Sequence, residues 1–149
     1  MKELTLELAL KAIEAAEKWA KRTPKIPISV AVVNKAGAVI AAHRQDGSLP
    51  MSIETAIKKA WTAIYFQGPT LMPARFIDPR SVTSPMIGNH ALGVGAVAPG
   101  RAALIAGAMP IFSDDNDIIG AIGASGCPDA VGDVSDTAVC QAGWTALFL

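Results

Sequence analysis

The chain has 149 residues, enough for one domain with a sizeable buried core. Its 13 Lys+Arg balance 13 Asp+Glu, and neither end carries a basic arm, so no nucleic-acid partner is expected. No run reaches the roughly 18 apolar residues of a membrane span, and acidic residues interrupt the opening Met1-Lys2-Glu3-Leu4-Thr5, so no signal peptide or membrane partner is expected and the location read from the sequence is cytoplasmic.

Thr5 to Arg22 reads as a helix. Glu7, Lys11, Glu14, Lys18 and Lys21 share one solvated face, and Leu6, Ala9, Leu10, Ile13, Ala16 and Ala20 cover much of the rest. Pro24 and Pro27 bracket a connector. Ile28 to Asn34 and Ala38 to Arg44 read as two strands joined by the turn Asn34-Lys35-Ala36-Gly37, a β-hairpin. The turn Gln45-Asp46-Gly47-Ser48 follows. Ser52 is the expected cap of a second helix that runs to about Phe66. Gln67 to Gly100 is irregular, with five prolines and five glycines, and a short helix is expected over Ser81 to His90.

Ala102 to Ala106, Met109 to Ser113 and Ile118 to Ala124 read as three further strands, with Asp114-Asp115-Asn116-Asp117 as the last turn. A final helix is expected from about Gly132 to Leu149. The order is αββα-loop-βββα. It predicts a single α+β domain over 1–149, with a five-stranded, largely antiparallel sheet flanked by helices. Charged residues make up only 17% and hydrophobic ones 51%, so a homo-oligomer that hides apolar area is expected. Cys127 and Cys140 form no CxxC pair and suit a reducing compartment, Cys140 as a buried helix residue.

Several residues have the chemistry of a site. Arg44 offers a planar fork to a carboxylate. Arg44, Asp46 and Lys59 stand at element ends, where they either contact a ligand or form an internal Arg–Asp or Lys–Asp pair. Ser125-Gly126-Cys127 leaves the strand Ile118 to Ala124 with exposed backbone that could hold an anion, or serves as plain turn and cap chemistry. Cys127 near a helix start is a candidate nucleophile. Gly123-Ala124-Ser125-Gly126-Cys127 lacks the last glycine of a hydrolase elbow. His43 lies in a strand and His90 in the long loop. With no clustered carboxylate they make a poor metal site, and no metal is expected. His90 is a candidate acid/base or haem ligand, or an ordinary loop histidine. Arg75 and Arg80 could close over an acidic ligand or cross a subunit interface. Trp61 and Trp144 read as core or interface residues.

Four segments together resemble the GlcG/HbpS/PduO-C-terminal-like family. They are Ile28 to Gly37 followed by Ala41-Ala42-His43-Arg44-Gln45-Asp46-Gly47; Ala56 to Ala63 with Lys59-Ala60-Trp61-Thr62-Ala63; Gly107-Ala108-Met109-Pro110-Ile111; and Ile119 to Gly126 followed by Asp136 to Gly143. Asn34, Ala36 and Ala108 depart from the commoner family residues. The resemblance implies a profilin-like fold, often oligomeric, and makes haem a candidate cofactor. It also brings Arg44, Asp46 and Lys59 together.

Three readings of function follow. The first is a protein that binds a small carboxylate or a haem/corrinoid-type ligand between the Arg44–Asp46 turn, the Lys59 helix and the Ser125–Cys127 loop. In it Arg44, Thr62, Arg75, Ser125 and Gly126 contact the ligand. The second is a cofactor-free hydrolase, isomerase or lyase of a small organic acid, with His90, Lys59, Asp46 and Cys127 as catalytic candidates. The third is a structural accessory subunit.

Overall fold

Thr5 opens the first helix: its Oγ1 accepts from the Leu8 amide at 3.3 Å, and Glu7 sits in the positively polarised first turn. The computed structural model describes residues 1–22, 26–67, 99–103, 105–127 and 134–149. Within them lie α1 (Leu6–Ala20), β1 (Ser29–Asn34), β2 (Val39–Arg44), α2 (Ser52–Tyr65), β3 (Ala108–Phe112), β4 (Ile118–Ser125) and α3 (Asp136–Ala146). On α1 the five charges expected on one face are all exposed, and Ala9, Ala12, Ile13 and Ala16 are buried. Leu6, expected on the covered side, is exposed.

The hairpin between β1 and β2 forms as read. Asn34 Oδ1 accepts from the amides of Ala36 (2.9 Å) and Ala38 (3.0 Å), and Gly37 takes a φ of 80°, which a side chain would resist. The sheet order is β2-β1-β4-β3, and every pairing is antiparallel. Ser29 stands opposite Arg44 on one side and Ser125 on the other. β1 is thus central, and its Val-Ala-Val-Val run is buried on both faces.

Alternation along the strands divides the core. Val30, Val32, Ile122 and Ala124 pack against α1 and α3, while Val33, Ala108 and Ala121 pack against Ala60 and Ala63 of α2. Full burial of each such valine stabilises by about 1.5–3 kcal/mol. The helices come very close. A Cβ on Gly123 would lie 2.2 Å from the Ala56 carbonyl of α2, and one on Gly143 would lie 2.6 Å from the Ala12 carbonyl of α1.

Three expectations change. Among the described residues the sheet has four strands rather than five, because residues 102, 103, 105 and 106 belong to no strand. There the Ala103 amide goes to the Thr62 hydroxyl at 2.8 Å instead of to a sheet neighbour. Ser52 does not cap α2. Met51 holds the cap position, and the buried Ser52 hydroxyl donates to the Leu49 carbonyl (2.7 Å) and meets Ser29 Oγ (2.7 Å). The last helix begins at Asp136, with Ser135 Oγ accepting from the Ala138 amide at 3.1 Å. The short helix expected over Ser81 to His90 lies outside the described residues.

Candidate functional site

The residues singled out in the sequence fall into two groups. The first is buried. α2 carries Lys59 toward the sheet, where its side chain is 1% exposed. Its Nζ donates to Asp136 Oδ2 (2.7 Å) and to the Ala124 carbonyl (3.0 Å). Asp136 Oδ1 accepts from the Cys127 amide at 2.8 Å, and the Asp136 amide donates to the Cys127 carbonyl at 2.9 Å. One carboxylate thus holds the ammonium of α2, the end of the segment after β4 and the start of α3. Gly107 lies against the pair with a φ of 118°, and a Cβ there would meet Asp136 Cβ at 2.6 Å and Lys59 Nζ at 3.1 Å.

This settles one choice left by the sequence. Among the described residues neither Arg44 nor Lys59 pairs with Asp46; the partner of Lys59 is Asp136. An ammonium so placed is a tie between elements, because a buried charge is tolerable only when paired and hydrogen-bonded. Asp136, 77 residues away, stood out in the sequence only as the first residue of the Asp136 to Gly143 segment that carries part of the family resemblance. Cys127 is also buried, and its Sγ donates to the Val134 carbonyl at 3.3 Å. Cys140 Sγ donates to the Gly107 carbonyl at 3.0 Å. Burial pushes the Cys140 thiol well above its ordinary value of 9.0, and nearby Lys59 opposes that rise. Thr62 is fully buried; its hydroxyl donates to the Lys58 carbonyl (2.7 Å) while accepting from Ala103.

The second group faces solvent. The turn after β2 is anchored to the start of β1: the Gln45 amide donates to the Ile28 carbonyl (3.0 Å), and Gln45 Oε1 accepts from the Ile28 amide (3.0 Å). Arg44 donates through Nη2 to the Ser48 carbonyl, which leaves its other edge toward a cleft. That cleft, of about 600 Å³, lies between the end of α1 and this turn, and Glu17, Lys21, Pro27, Arg44, Gln45 and Asp46 line it. Gly126 backs onto it: a Cβ there would lie 2.7 Å from the Pro27 carbonyl. Ser125 sits one strand away, beside Ser29. On the neighbouring β2 position His43 faces α1, with Nδ1 3.2 Å from Glu17 Oε1. The structure therefore brings Arg44 and Asp46 together and sets Gly126 behind them, and it places Lys59, Thr62 and Cys127 in the interior. His90, Arg75 and Arg80 lie outside the described residues.

A four-stranded antiparallel sheet, with α2 on one face and the α1–α3 pair on the other, defines a small α+β class of domain. The family model described as "Haem degrading protein HbpS-like" matches residues 4–145, and the chain belongs to that family. Among solved structures, a double mutant of HbpS from Streptomyces reticuli is 31% identical, with a TM-score of 0.79 over 99% of this chain and 88% of that one. Protein ORFY of Klebsiella pneumoniae is 22% identical, with a TM-score of 0.80 over 99% and 92% of the two chains. A PduOC:heme complex is 24% identical, with a TM-score of 0.77 over 97% and 94%. At these two lower identities the likeness is one of fold. No curated protein matches the chain. Among the described residues no helix is long and apolar enough to cross a membrane.

Proposed function

We propose that this chain binds haem, or a closely related tetrapyrrole carrying carboxylates, in the cleft between the end of α1 and the Arg44–Asp46 turn. Membership of a family described as haem-degrading carries this reading. The size of the cleft and two of its charges support the reading. The cleft of about 600 Å³ falls within the usual ~300–1,000 Å³ of small-molecule sites. Lys21 and Arg44, which line it, are donors for carboxylates. A bound haem would supply an iron centre able to change oxidation state. The chain itself supplies the rim charges and the rigid, backbone-anchored turn that orient it.

Titration of the purified protein with haemin tests the reading. Saturable binding with a shifted Soret band and a Kd of about 1 μM or tighter is expected. A linear, unsaturable response would sink it. We propose further that the chain assembles with copies of itself, which the exposed Leu6, Leu49, Met51, Tyr65 and Phe148 support. Light scattering should return at least twice the chain mass at micromolar concentration, and a monomer would refute the assembly.

A further inference from the structure

Glu7, Lys11, Glu14 and Lys18 are exposed along the outer face of α1. The ion pairs among the described residues are Met1–Asp114, His43–Glu17 and Lys59–Asp136, so none of the four is taken up by one. Glu7–Lys11 and Glu14–Lys18 have the spacing of intrahelical pairs, yet neither closes.

The order of the four charges is a second observation. Their midpoint falls between Ala12 and Ile13. Glu7 stands as far before it as Lys18 stands after it, and Lys11 and Glu14 flank it in the same way. Reversing the helix about that point lays each carboxylate on an ammonium position and each ammonium on a carboxylate position. A two-fold axis between antiparallel copies of α1 performs this reversal. A parallel copy in register would face like charges instead.

The surface beside the stripe suits a contact. Leu6 on the same helix is 56% exposed. Lys18 borders a groove of about 520 Å³ between α1 and α3, which Ala15, Trp19, Ala138, Ala142 and Ala146 also line. From Thr137 to Leu149 the chain carries no charged side chain, so nothing on that side opposes the charges of a docked helix. An apolar strip rimmed by charges is the ordinary anatomy of a protein–protein interface.

We infer that a second copy of this chain docks on the outer face of α1, antiparallel across a two-fold axis. Glu7 then meets the partner's Lys18 and Lys11 meets the partner's Glu14, each contact being made twice by symmetry. This rests on the self-assembly proposed above and names its surface and geometry. Lys21, beyond the helix end, stays with the cleft already described.

Two double variants test it by sedimentation velocity at low salt, where exposed charges are least screened. Glu7→Lys with Glu14→Lys makes the face all cationic, and Lys11→Glu with Lys18→Glu makes it all anionic. The four side chains are exposed, and far-UV circular dichroism checks that each variant is folded. Each variant alone should self-associate roughly tenfold or more weakly than wild type. Mixed in equal amounts, with one of them fluorescently labelled, the two should associate with each other. Wild-type self-association in either variant would overturn the surface and leave self-assembly standing. Weakened variants that stay apart when mixed would overturn the antiparallel pairing. A wild-type monomer at micromolar concentration would overturn both the surface and the assembly.

Discussion

Removing the Lys59 side chain strands the Asp136 carboxylate in the interior, where among the described residues the Cys127 amide is its remaining donor. Breaking a buried pair from one side costs about 3–5 kcal/mol. Lys59→Met should therefore lower unfolding stability in urea by about that amount, and Lys59→Met with Asp136→Leu should lose less than the sum of the two single changes. A single-variant loss under about 1 kcal/mol would mean that the tie is not structural. Cys140 makes a prediction in pH. Its folded-state value is raised by burial, so the stability it contributes is intact below 9.0 and falls as pH rises through the window above that value. Cys140→Ala should remove this part of the alkaline loss in a denaturation series run from neutral to alkaline pH. The sequence marked Lys59 as chemically notable but not its partner, since nothing local links it to a residue 77 positions on.

At the scale of elements, two close approaches set the layer spacing. In Gly123→Ala the new methyl would meet the backbone of α2 at Ala56, with no flexible side chain to yield. A loss of about 1–3 kcal/mol is expected in thermal or urea melts, and a neutral result would show that α2 can shift outward freely. The strands were legible because the β-branched runs at Val30–Val33 and Ile118–Ile122 are short and bounded by turn residues. The start of α2 was not. Ser52 has the residue type of a cap, but Ser29 and the Leu49 carbonyl take up its hydroxyl, and a tertiary contact outweighed the local preference. Residues 102 to 106 have strand-like composition, yet the Ala103 amide goes to the Thr62 hydroxyl.

Across the whole molecule the sheet places residues distant in sequence side by side. β1 and β4 are the central pair, and α1 packs on α3, so the two ends of the chain close one core. The hairpin between β1 and β2 was legible from its turn. The β1–β4 pairing had no local signature, and neither did the meeting of His43 with Glu17, 26 residues apart. Arg44 and Asp46 were identified from their position at a strand end, and the structure adds the wall of α1 that makes a cleft beside them.

The Lys59–Asp136 tie also orders events during synthesis. At about 5–20 residues per second, 77 residues take roughly 4–15 s to emerge, and Lys59 must stay hydrated for that interval. α2 therefore cannot bury Lys59 with its charge matched until Asp136 has been made. Final docking of α2 waits for α3, and a chain stalled before Asp136 would leave the Lys59 face of α2 undocked and open to proteolysis.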